Sequence, residues 1–391
     1  MAPRITRKRG EHFGGILQVE DPPALLYVDR EYMTEVGYVD DPANPRWTGE
    51  DPGHLAAPTE VHLTVTRRCN VACKGCYTDS SARGTDLSTA YWKGIIDELA
   101  GMGVFHLAMG GGESTLRPDL FELAAHARHR GMVPNLTTNG FGLTRAMAAS
   151  CRVFGQINVS IDGIGPVYAK VRGFDGFAQA DQGIRLLTAA GNKPGINCVV
   201  TRTNIDHLQE VVEYAEERGL SEVEFLRFKP TGRGAPTYAL LSVAPQRHQA
   251  FFRDLHQWMT DYEVPLKVDC SFVPFLCDLN PSPELLDRFG VHGCEAGNVL
   301  AAVQPEGTYS GCSFVDEPAG QAADMADEWK GNAQLAAFRA YTDAPPAPCS
   351  TCDFLAICRG GCHVVSEHVT GQRFAPDPEC PRVIRSAGGQ V

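Results

Sequence analysis

Short apolar segments alternate with amphipathic segments over the middle of the chain, from about residue 58 to residue 229. The apolar segments have the length and composition of buried strands, and the amphipathic segments repeat apolar residues every three or four positions, which predicts helices. The first predicted helix begins near Ser88 and ends at Gly101 and Gly103. The predicted strands cover residues 60–66, 104–109, 133–138, 156–161, 195–200 and 222–228. This order predicts an α/β fold, a partial (β/α)6 TIM-like barrel of parallel strands.

The regions on either side of this alternation have other patterns. Residues 1–57 contain the apolar stretches GGILQV and ALLYVD around the turn sequence DPP, which predicts a β-hairpin followed by a Pro- and Gly-rich linker. Residues 230–289 are expected to form a bridge with one helix around 245–261. Residues 290–391 are rich in cysteine and turns, as in a small separate domain. The expected domains are 1–57, 58–229, 230–289 and 290–391.

Composition and charge narrow the class of protein. With 43% hydrophobic and 21% charged residues and no apolar run near ~20 residues, a globular protein without a membrane partner is expected. The basic N-terminus lacks the apolar segment of a secretory signal, which favours the cytoplasm. A formal net charge of −12 disfavours nucleic-acid binding, which depends on cations. Arg4, Arg7, Lys8 and Arg9 are interpreted as a solvated tail, or as a patch for an acidic partner.

Fourteen cysteines in a chain without a secretory signal indicate metal or redox sites rather than disulfides. Three of them, Cys69, Cys73 and Cys76, lie in the segment CNVACKGCY directly after the first predicted strand. A cubane iron–sulfur cluster with four thiolates is coordinatively complete, whereas three thiolates leave one iron open to another ligand. The alternative is a zinc site completed by a distant histidine, since this loop itself contains none.

The segment CNVACKGCY matches the CxxxCxxC-aromatic signature of the radical S-adenosylmethionine (radical SAM) superfamily, and it stands where that superfamily carries it, after the first strand. The resemblance implies that Cys69, Cys73 and Cys76 hold a 4Fe–4S cluster whose open iron binds S-adenosylmethionine. It also implies reductive cleavage of that cofactor to methionine and a 5′-deoxyadenosyl radical, which abstracts hydrogen from the substrate.

Residues near the ends of later predicted strands resemble the cofactor contacts of the same superfamily. The sequence GGGE at 110–113 resembles its GGE motif, in which bare backbone lets the cofactor approach, although Ser114 replaces a frequent proline. Ser160 resembles the polar residue at the ribose or carboxylate, and Arg172 the arginine at the methionyl carboxylate. The residues implied at the cofactor are Tyr77, Gly111, Gly112, Glu113, Asn139, Ser160 and Arg172.

Seven cysteines near the C-terminus form a second pattern, centred on CSTCDFLAICRGGC. Over about residues 290–385 this pattern resembles the SPASM domain that accompanies many radical SAM enzymes, although CxxC pairs also suit a zinc ribbon. The resemblance implies two auxiliary 4Fe–4S clusters, three clusters in all. The implied ligands of the outer cluster are Cys349, Cys352, Cys358 and Cys380. Those of the inner cluster are Cys294, Cys312 and Cys362, with Cys270, Cys277 or an open site as the fourth position.

The expected substrate is a peptide. SPASM domains commonly accompany enzymes that modify ribosomally synthesised peptides, and segments such as LRFKPTGRG and ICRGGC resemble the mycofactocin maturases. We therefore expect a radical SAM oxidoreductase that crosslinks, oxidises, decarboxylates or epimerises a peptide. Its electrons are expected to come from an external reductant such as flavodoxin or ferredoxin. The alternatives are the same chemistry on a small metabolite or a sulfatase-type side chain, and a zinc-stapled binding protein. The N-terminal hairpin is expected either to bind a leader peptide by its strand edge or to serve as a lid or packing element.

Overall fold

The computed structural model describes residues 4–42 and 45–390, and it begins with a three-stranded antiparallel sheet. The strands are β1 (Arg4–Glu11), β2 (Gly14–Glu20) and β3 (Ala24–Asp29), and helix α1 (Arg30–Glu35) follows them. The predicted hairpin is β2 and β3. The interpretation of the preceding basic segment as a solvated tail was wrong, because this segment is strand β1 and Arg9 in it is buried.

Strand β1 attaches the small sheet to the rest of the molecule through a buried ion pair. Arg9 Nε lies 2.6 Å from Glu11 Oε1, and both side chains are almost completely buried. Arg9 Nη1 donates to the carbonyls of Pro58 (2.8 Å) and Gly103 (3.1 Å), and the Ala56 amide donates to Glu11 Oε2 (2.7 Å). A paired and hydrogen-bonded charge is the form in which an arginine can be buried. The small sheet therefore lies against the segments that precede the first two barrel strands.

The predicted βα series is present. Its strands are β4 (Glu60–Thr64), β5 (His106–Gly110), β6 (Val133–Thr138), β7 (Ile157–Ser160), β8 (Gly195–Val200) and β9 (Val223–Arg227), paired in parallel in that order. Its helices are α2 (Thr89–Met102), α3 (Leu120–His129), α4 (Arg145–Ser150), α5 (Pro166–Arg172), α6 (Phe177–Ala189) and α7 (Leu208–Glu217). The α/β class and the partial barrel are confirmed.

Local signals set the boundaries of these elements. The Ser88 hydroxyl accepts a hydrogen bond from the Tyr91 amide and caps α2, whereas Gly103 ends that helix in the left-handed conformation at φ 90°. Apolar side chains from the strands and helices then form one continuous core, in which residues such as Leu63, Ile96 and Leu107 are almost completely buried. This core holds the strands in register and so fixes where their carboxyl ends lie.

The segment after β9 contains more structure than the single predicted helix. Its elements are α8 (Tyr238–Leu241), α9 (Pro245–Asp261), β10 (Leu266–Val268), α10 (Val273–Asp278) and α11 (Pro283–Arg288). Helix α9 is the predicted one. Strand β10 pairs in parallel with β9 and extends the barrel sheet at that edge.

The cysteine-rich segment joins the other edge of the same sheet. Its elements are β11 (Leu300–Val303), β12 (Thr308–Ser310), β13 (Gly320–Gln321), α12 (Met325–Glu328), α13 (Ala333–Arg339), α14 (Leu355–Cys358), α15 (His363–Thr370) and α16 (Pro381–Ser386). Strand β11 runs parallel to β4, with Leu300 opposite Glu60 and Val303 opposite Leu63. The ten-stranded sheet therefore has the order β10-β9-β8-β7-β6-β5-β4-β11-β12-β13. Among the described residues, every helix is too short or too polar to cross a membrane.

Candidate active site

The three-cysteine loop follows β4 at the carboxyl end of the barrel sheet, where active sites of such folds lie. Cys69 is buried, and Cys73 and Cys76 are half-buried. The Cys69 amide donates to the Ser81 carbonyl (2.7 Å), and the Lys74 amide donates to the carbonyl of Arg172 at the end of α5 (3.0 Å). These bonds hold the loop against itself and against the barrel.

Each thiol of this loop has a polar side chain close to its sulfur; one of these side chains directly follows β6, and another lies at the end of α5. The distances are 3.9 Å from Asn139 Nδ2 to Cys69 Sγ, 3.5 Å from Arg172 Nη1 to Cys73 Sγ and 3.3 Å from Thr78 Oγ1 to Cys76 Sγ. The structure thus brings together the loop, Asn139 and Arg172, which the sequence places far apart. Donors directed at sulfur are one means by which proteins tune iron–sulfur clusters.

The glycines after β5 are required by the cysteine loop itself. A Cβ atom at Gly111, whose φ is +135°, would lie 2.4 Å from the Thr66 carbonyl oxygen, and one at Gly112 would lie 2.2 Å from that of Arg68. The Gly112 amide donates to the same Thr66 oxygen at 2.8 Å. The space expected for a cofactor at these two glycines is therefore filled by loop backbone. At Gly110 a Cβ would meet nothing within 4 Å, so open space begins there.

Glu113 is completely buried and connects the ends of two strands. Its carboxylate accepts hydrogen bonds from Thr115 Oγ1 (2.6 Å), Thr138 Oγ1 (2.7 Å) and the Asn139 amide (2.7 Å). Burial raises the pKa of this carboxyl, although these hydrogen bonds act in the opposite direction. Both oxygens already have donors within the protein, so Glu113 positions the ends of β5 and β6.

Arg172 is held by an acidic residue that the sequence analysis did not select. Its Nε lies 2.6 Å from Asp162 Oδ2, and both side chains are largely buried. Burial alone would lower the pKa of Arg172, but Asp162 and Cys73 raise it above its ordinary value. Asp162 comes two residues after Ser160, which lies at the end of β7. The position of Asp162 in the segment NVSIDG, directly after a strand, was the available signal.

Polar side chains also cover the inner face of the barrel strands, opposite the apolar core. Asn158 Nδ2 donates to Asn197 Oδ1 across β7 and β8 (2.6 Å), and one ring nitrogen of His62 lies 2.6 Å from Ser313 Oγ. Glu224 on β9 shares this face, since Val223 and Phe225 beside it belong to the core. Burial and repulsion from Asp269 and Glu222 raise the pKa of Glu224 to about 7. The inner face of the barrel strands is therefore polar.

A buried cation lies between the first loop and the C-terminal cysteines. Lys229 follows β9, forms an ion pair with Asp269, and has Nζ 4.5 Å from the centre of the Phe314 ring. The Phe314 ring in turn lies 4.9 Å from the ring of Tyr77 in the first loop. Phe314 comes two residues after Cys312. Neither Lys229 nor Phe314 was selected from the sequence, because a lysine in a turn and a lone phenylalanine carry no spacing signal.

The C-terminal cysteines separate into two sets. The outer set lines a cavity of about 190 Å³ that also includes Cys277; its members are Cys349, Cys352, Cys358 and Cys380. Four thiols around one cavity suit the donor set of a cubane cluster. The inner set comprises Cys294, Cys312 and Cys362. Besides burial, Cys312 and Cys362 contribute to raising the pKa of Cys294, and Cys362 contributes to raising that of Cys312.

Cys270 and Cys277 lie beside different cysteine sets. The pKa of the Cys270 thiol is raised well above its ordinary value by burial, by Asp269 and by Cys294 and Cys312 of the inner set. Cys277 instead packs with Val273 and Phe354 beside the outer set. Cys270 therefore lies next to the inner set and Cys277 next to the outer set.

Comparisons with known proteins agree with this geometry. The family model of the radical SAM superfamily matches residues 63–215. The chain is 32% identical over 351 residues to the mycofactocin maturase MftC of Mycobacterium ulcerans, covering 86% of this chain and 92% of the maturase. It is 29% identical over 351 residues to the PqqA peptide cyclase of Ruegeria pomeroyi, covering 86% of this chain and 91% of the cyclase.

A solved structure shares the fold over almost the whole chain. SuiB of Streptococcus suis, crystallised with the precursor peptide SuiA, superposes with a TM-score of 0.75 and 16% identity, covering 96% of this chain and 98% of SuiB. At this identity the likeness concerns the fold, and it includes the region around the small N-terminal sheet.

Replacing Gly112 by alanine is expected to displace the cysteine loop. The new Cβ would meet backbone at 2.2 Å, and backbone cannot rotate away as a side chain can. We expect a lower melting temperature and loss of iron bound by the first loop, measured by thermal unfolding and metal analysis. Gly110→Ala is the control, because nothing lies within 4 Å of its added Cβ. Equal iron content and equal melting temperature in the two variants would contradict the packing role.

Proposed function

The chain belongs to the radical SAM superfamily, and on that basis we propose that it is a maturase of a ribosomally synthesised peptide. As a member of this superfamily it is an enzyme that uses S-adenosylmethionine and a 4Fe–4S cluster. The observation that carries the proposal is the loop of three thiols, with Asn139 after β6 and Arg172 at the end of α5 placed beside its sulfurs, in a chain similar to two peptide-modifying enzymes.

In this proposal Cys69, Cys73 and Cys76 hold the first cluster and leave one iron without a protein ligand. When bound, the cluster supplies one electron that cleaves the sulfonium of S-adenosylmethionine and starts hydrogen abstraction. Arg172, fixed by Asp162, would hold the methionyl carboxylate, a geometry that suits a guanidinium. The further residues proposed at the cofactor are Tyr77, Asn139 and Ser160. Gly111 and Gly112 instead pack on the cysteine loop, and Glu113 holds the strand ends in place.

We extend the proposal to two auxiliary clusters. The cavity lined by Cys349, Cys352, Cys358 and Cys380 supports an outer 4Fe–4S cluster with these four ligands. Cys294, Cys312 and Cys362 are the proposed ligands of the inner cluster. Of the alternatives for its fourth position we propose Cys270, because its thiol lies close enough to Cys294 and Cys312 for their charges to raise its pKa.

A peptide substrate is supported by the small N-terminal sheet. Strand β3 is an edge strand, with one side paired to β2 and the other without a strand partner in the described sheet. Such an edge can take an extended peptide as a further strand. Phe13 in the turn between β1 and β2 and Leu26 and Tyr27 on β3 are exposed, and the rings of Phe13 and Tyr27 stack at 6.1 Å. We propose that a leader segment pairs with β3 while the modified residue enters the polar barrel interior. Electrons would come from an external flavodoxin- or ferredoxin-type donor.

The proposed chemistry is tested by anaerobic turnover of the reconstituted protein. We expect about 12 irons per chain from three cubane clusters, and 5′-deoxyadenosine only after chemical reduction. Cys69→Ala should retain about eight irons and abolish deoxyadenosine, because the auxiliary clusters do not cleave the cofactor. Cys151→Ala is the matched control, since Cys151 is a buried cysteine of the core.

The same experiment separates the substrate classes. A mass change in a candidate precursor peptide supports the proposal, whereas turnover of a small metabolite or of a sulfatase-type protein in its place would contradict it. Colourless protein that binds zinc would contradict the radical chemistry itself.

The fourth ligand of the inner cluster is tested by paired serine variants. Cys270→Ser should lose one cluster, about four irons, because its thiol lies beside the inner set. Cys277→Ser should keep all iron, since Cys277 packs within an apolar cluster beside a set that already has four ligands. Iron analysis and Mössbauer spectra read out the result. Loss of iron from Cys277→Ser alone would reverse the assignment.

Binding of the precursor peptide to β3 is tested by removing the exposed rings of Phe13 and Tyr27. Phe13→Ser together with Tyr27→Ser should weaken binding of the candidate precursor peptide about tenfold or more, because the apolar rim of the strand edge is lost. Val39→Ser is the control, since Val39 is 84% exposed and lies outside the three-stranded sheet. Fluorescence anisotropy of a labelled peptide gives both affinities. Unchanged affinity of the double variant would exclude this edge as the leader site.

A further inference from the structure

A buried ion pair lies between the inner and outer cysteine sets. Arg227 is the last residue of β9, and Asp377 lies three residues before Cys380. The guanidinium is bidentate on the carboxylate, with Nη1 2.6 Å from Oδ2 and Nη2 3.0 Å from Oδ1. Arg227 is 4% exposed and Asp377 is 0% exposed, so water does not screen this pair.

Asp377 contacts residues of both cysteine sets. Its Oδ2 accepts a hydrogen bond from the amide of Cys362 in the inner set (3.0 Å), and its carbonyl accepts one from the amide of Cys380 in the outer set (3.0 Å). Its negative charge also acts on the thiols of Cys349 and Cys358 in the outer set. The residue therefore joins the protein environments of the two proposed clusters.

The same pair ties these sets to the barrel. Arg227 Nη1 also donates to the Ser271 carbonyl (3.0 Å), next to Cys270. A Cβ at Gly361, whose φ is +84°, would lie 2.5 Å from the Asp377 Cβ, so the turn before Cys362 packs directly on the aspartate. Moving either charge would shift backbone that carries proposed ligands.

Glu379 is a second carboxylate bound to the Arg227 guanidinium, and it can be compared with Asp377. Its carboxylate lies 2.9 Å from Arg227 Nη2 and accepts a hydrogen bond from the Tyr238 hydroxyl (2.8 Å). Unlike Asp377, it does not accept the amide of Cys362. Two carboxylates therefore share one guanidinium, but one of them also bonds to the backbone of a proposed cluster ligand.

We propose that Arg227 and Asp377 are positioning residues that set the reduction potentials of both auxiliary clusters, an inference that rests on the proposed function. A buried negative charge disfavours the addition of an electron nearby, and a buried positive charge favours it. Net charge and hydrogen bonds around the sulfurs are known determinants of cluster potential. The pair would thereby fix the energy at which an electron taken from the substrate enters and crosses the auxiliary clusters.

The test uses the full chain with Cys69, Cys73 and Cys76 replaced by alanine, so that only auxiliary clusters contribute to the signal. Potentiometric titration followed by electron paramagnetic resonance gives their midpoints. Asp377→Asn should raise both midpoints, with about a tenfold change in the reduced-to-oxidised ratio at fixed potential, or 59 mV for one electron. Arg227→Met should lower them. Glu379→Gln is the comparison and should raise the midpoints less than Asp377→Asn, with a change in the ratio below about threefold, because Glu379 is more exposed and does not bond to Cys362.

A purely structural role would not shift the midpoints in opposite directions in Asp377→Asn and Arg227→Met. Shifts of the same sign, or unchanged midpoints with full iron content, would overturn the inference. If Asp377→Asn does not load iron, the midpoints of Arg227→Lys and Arg227→Met are compared instead, since only the methionine removes the positive charge. Equal midpoints in these two variants would overturn the inference. Absence of iron in the parent triple variant would instead refute the proposed auxiliary clusters, which are expected to hold about eight irons.

Discussion

The parallel pairing of β11 with β4 is the interaction on which the arrangement of the cysteines depends. It joins Leu300–Val303 to Glu60–Thr64, strands separated by more than two hundred residues along the chain. Closing so long a loop costs entropy, which the shared core must offset. Once the strands are paired, the segment after β11 lies beside the cysteine loop after β4, and Phe314 reaches Tyr77. Cysteines that are remote in sequence thereby share one end of one sheet.

Close packing then fixes the cysteine loop. Gly111 and Gly112 allow the end of β5 to touch the loop backbone, and Glu113 connects β5 to β6 through buried hydrogen bonds. Asp162 holds Arg172 against Cys73. Groups that are immobile before a ligand arrives lose little freedom when it binds, which is the advantage of such preorganisation.

The barrel was predictable because its signals are local. Six strands and the helix capped by Ser88 follow from periodicity and end signals that lie within each segment. Strand β1 was missed because its sequence is basic, and only the tertiary contacts of Arg9 show why a charged strand is stable there. Strands β10 and β11 are three and four residues long, and their pairing partners are distant or belong to another predicted segment.

For the site, too, the features with local sequence signals were predictable and those formed by tertiary contacts were not. Cysteine spacing was sufficient to identify the three-thiol loop and the group of seven later cysteines, since spacing is written directly in the sequence. The division of those seven into two sets came from the resemblance to SPASM domains. The packing role of the glycines, the pairing of Arg172 with Asp162, and the positions of Lys229 and Phe314 depend on side chains brought together by the fold. The choice between Cys270 and Cys277 needed the tertiary structure for the same reason.

The central claim is that the cluster of the three-cysteine loop has an iron that binds S-adenosylmethionine directly. Electron–nuclear double resonance tests it on the reduced protein with the outer-set cysteines and Cys270 replaced, using cofactor labelled with ¹⁵N at the amino group and ¹⁷O at the carboxylate. Resolved couplings of both labels to the cluster are expected, and these couplings should be lost in Cys73→Ala. A cluster spectrum that is unchanged by the cofactor and shows no coupling would contradict it.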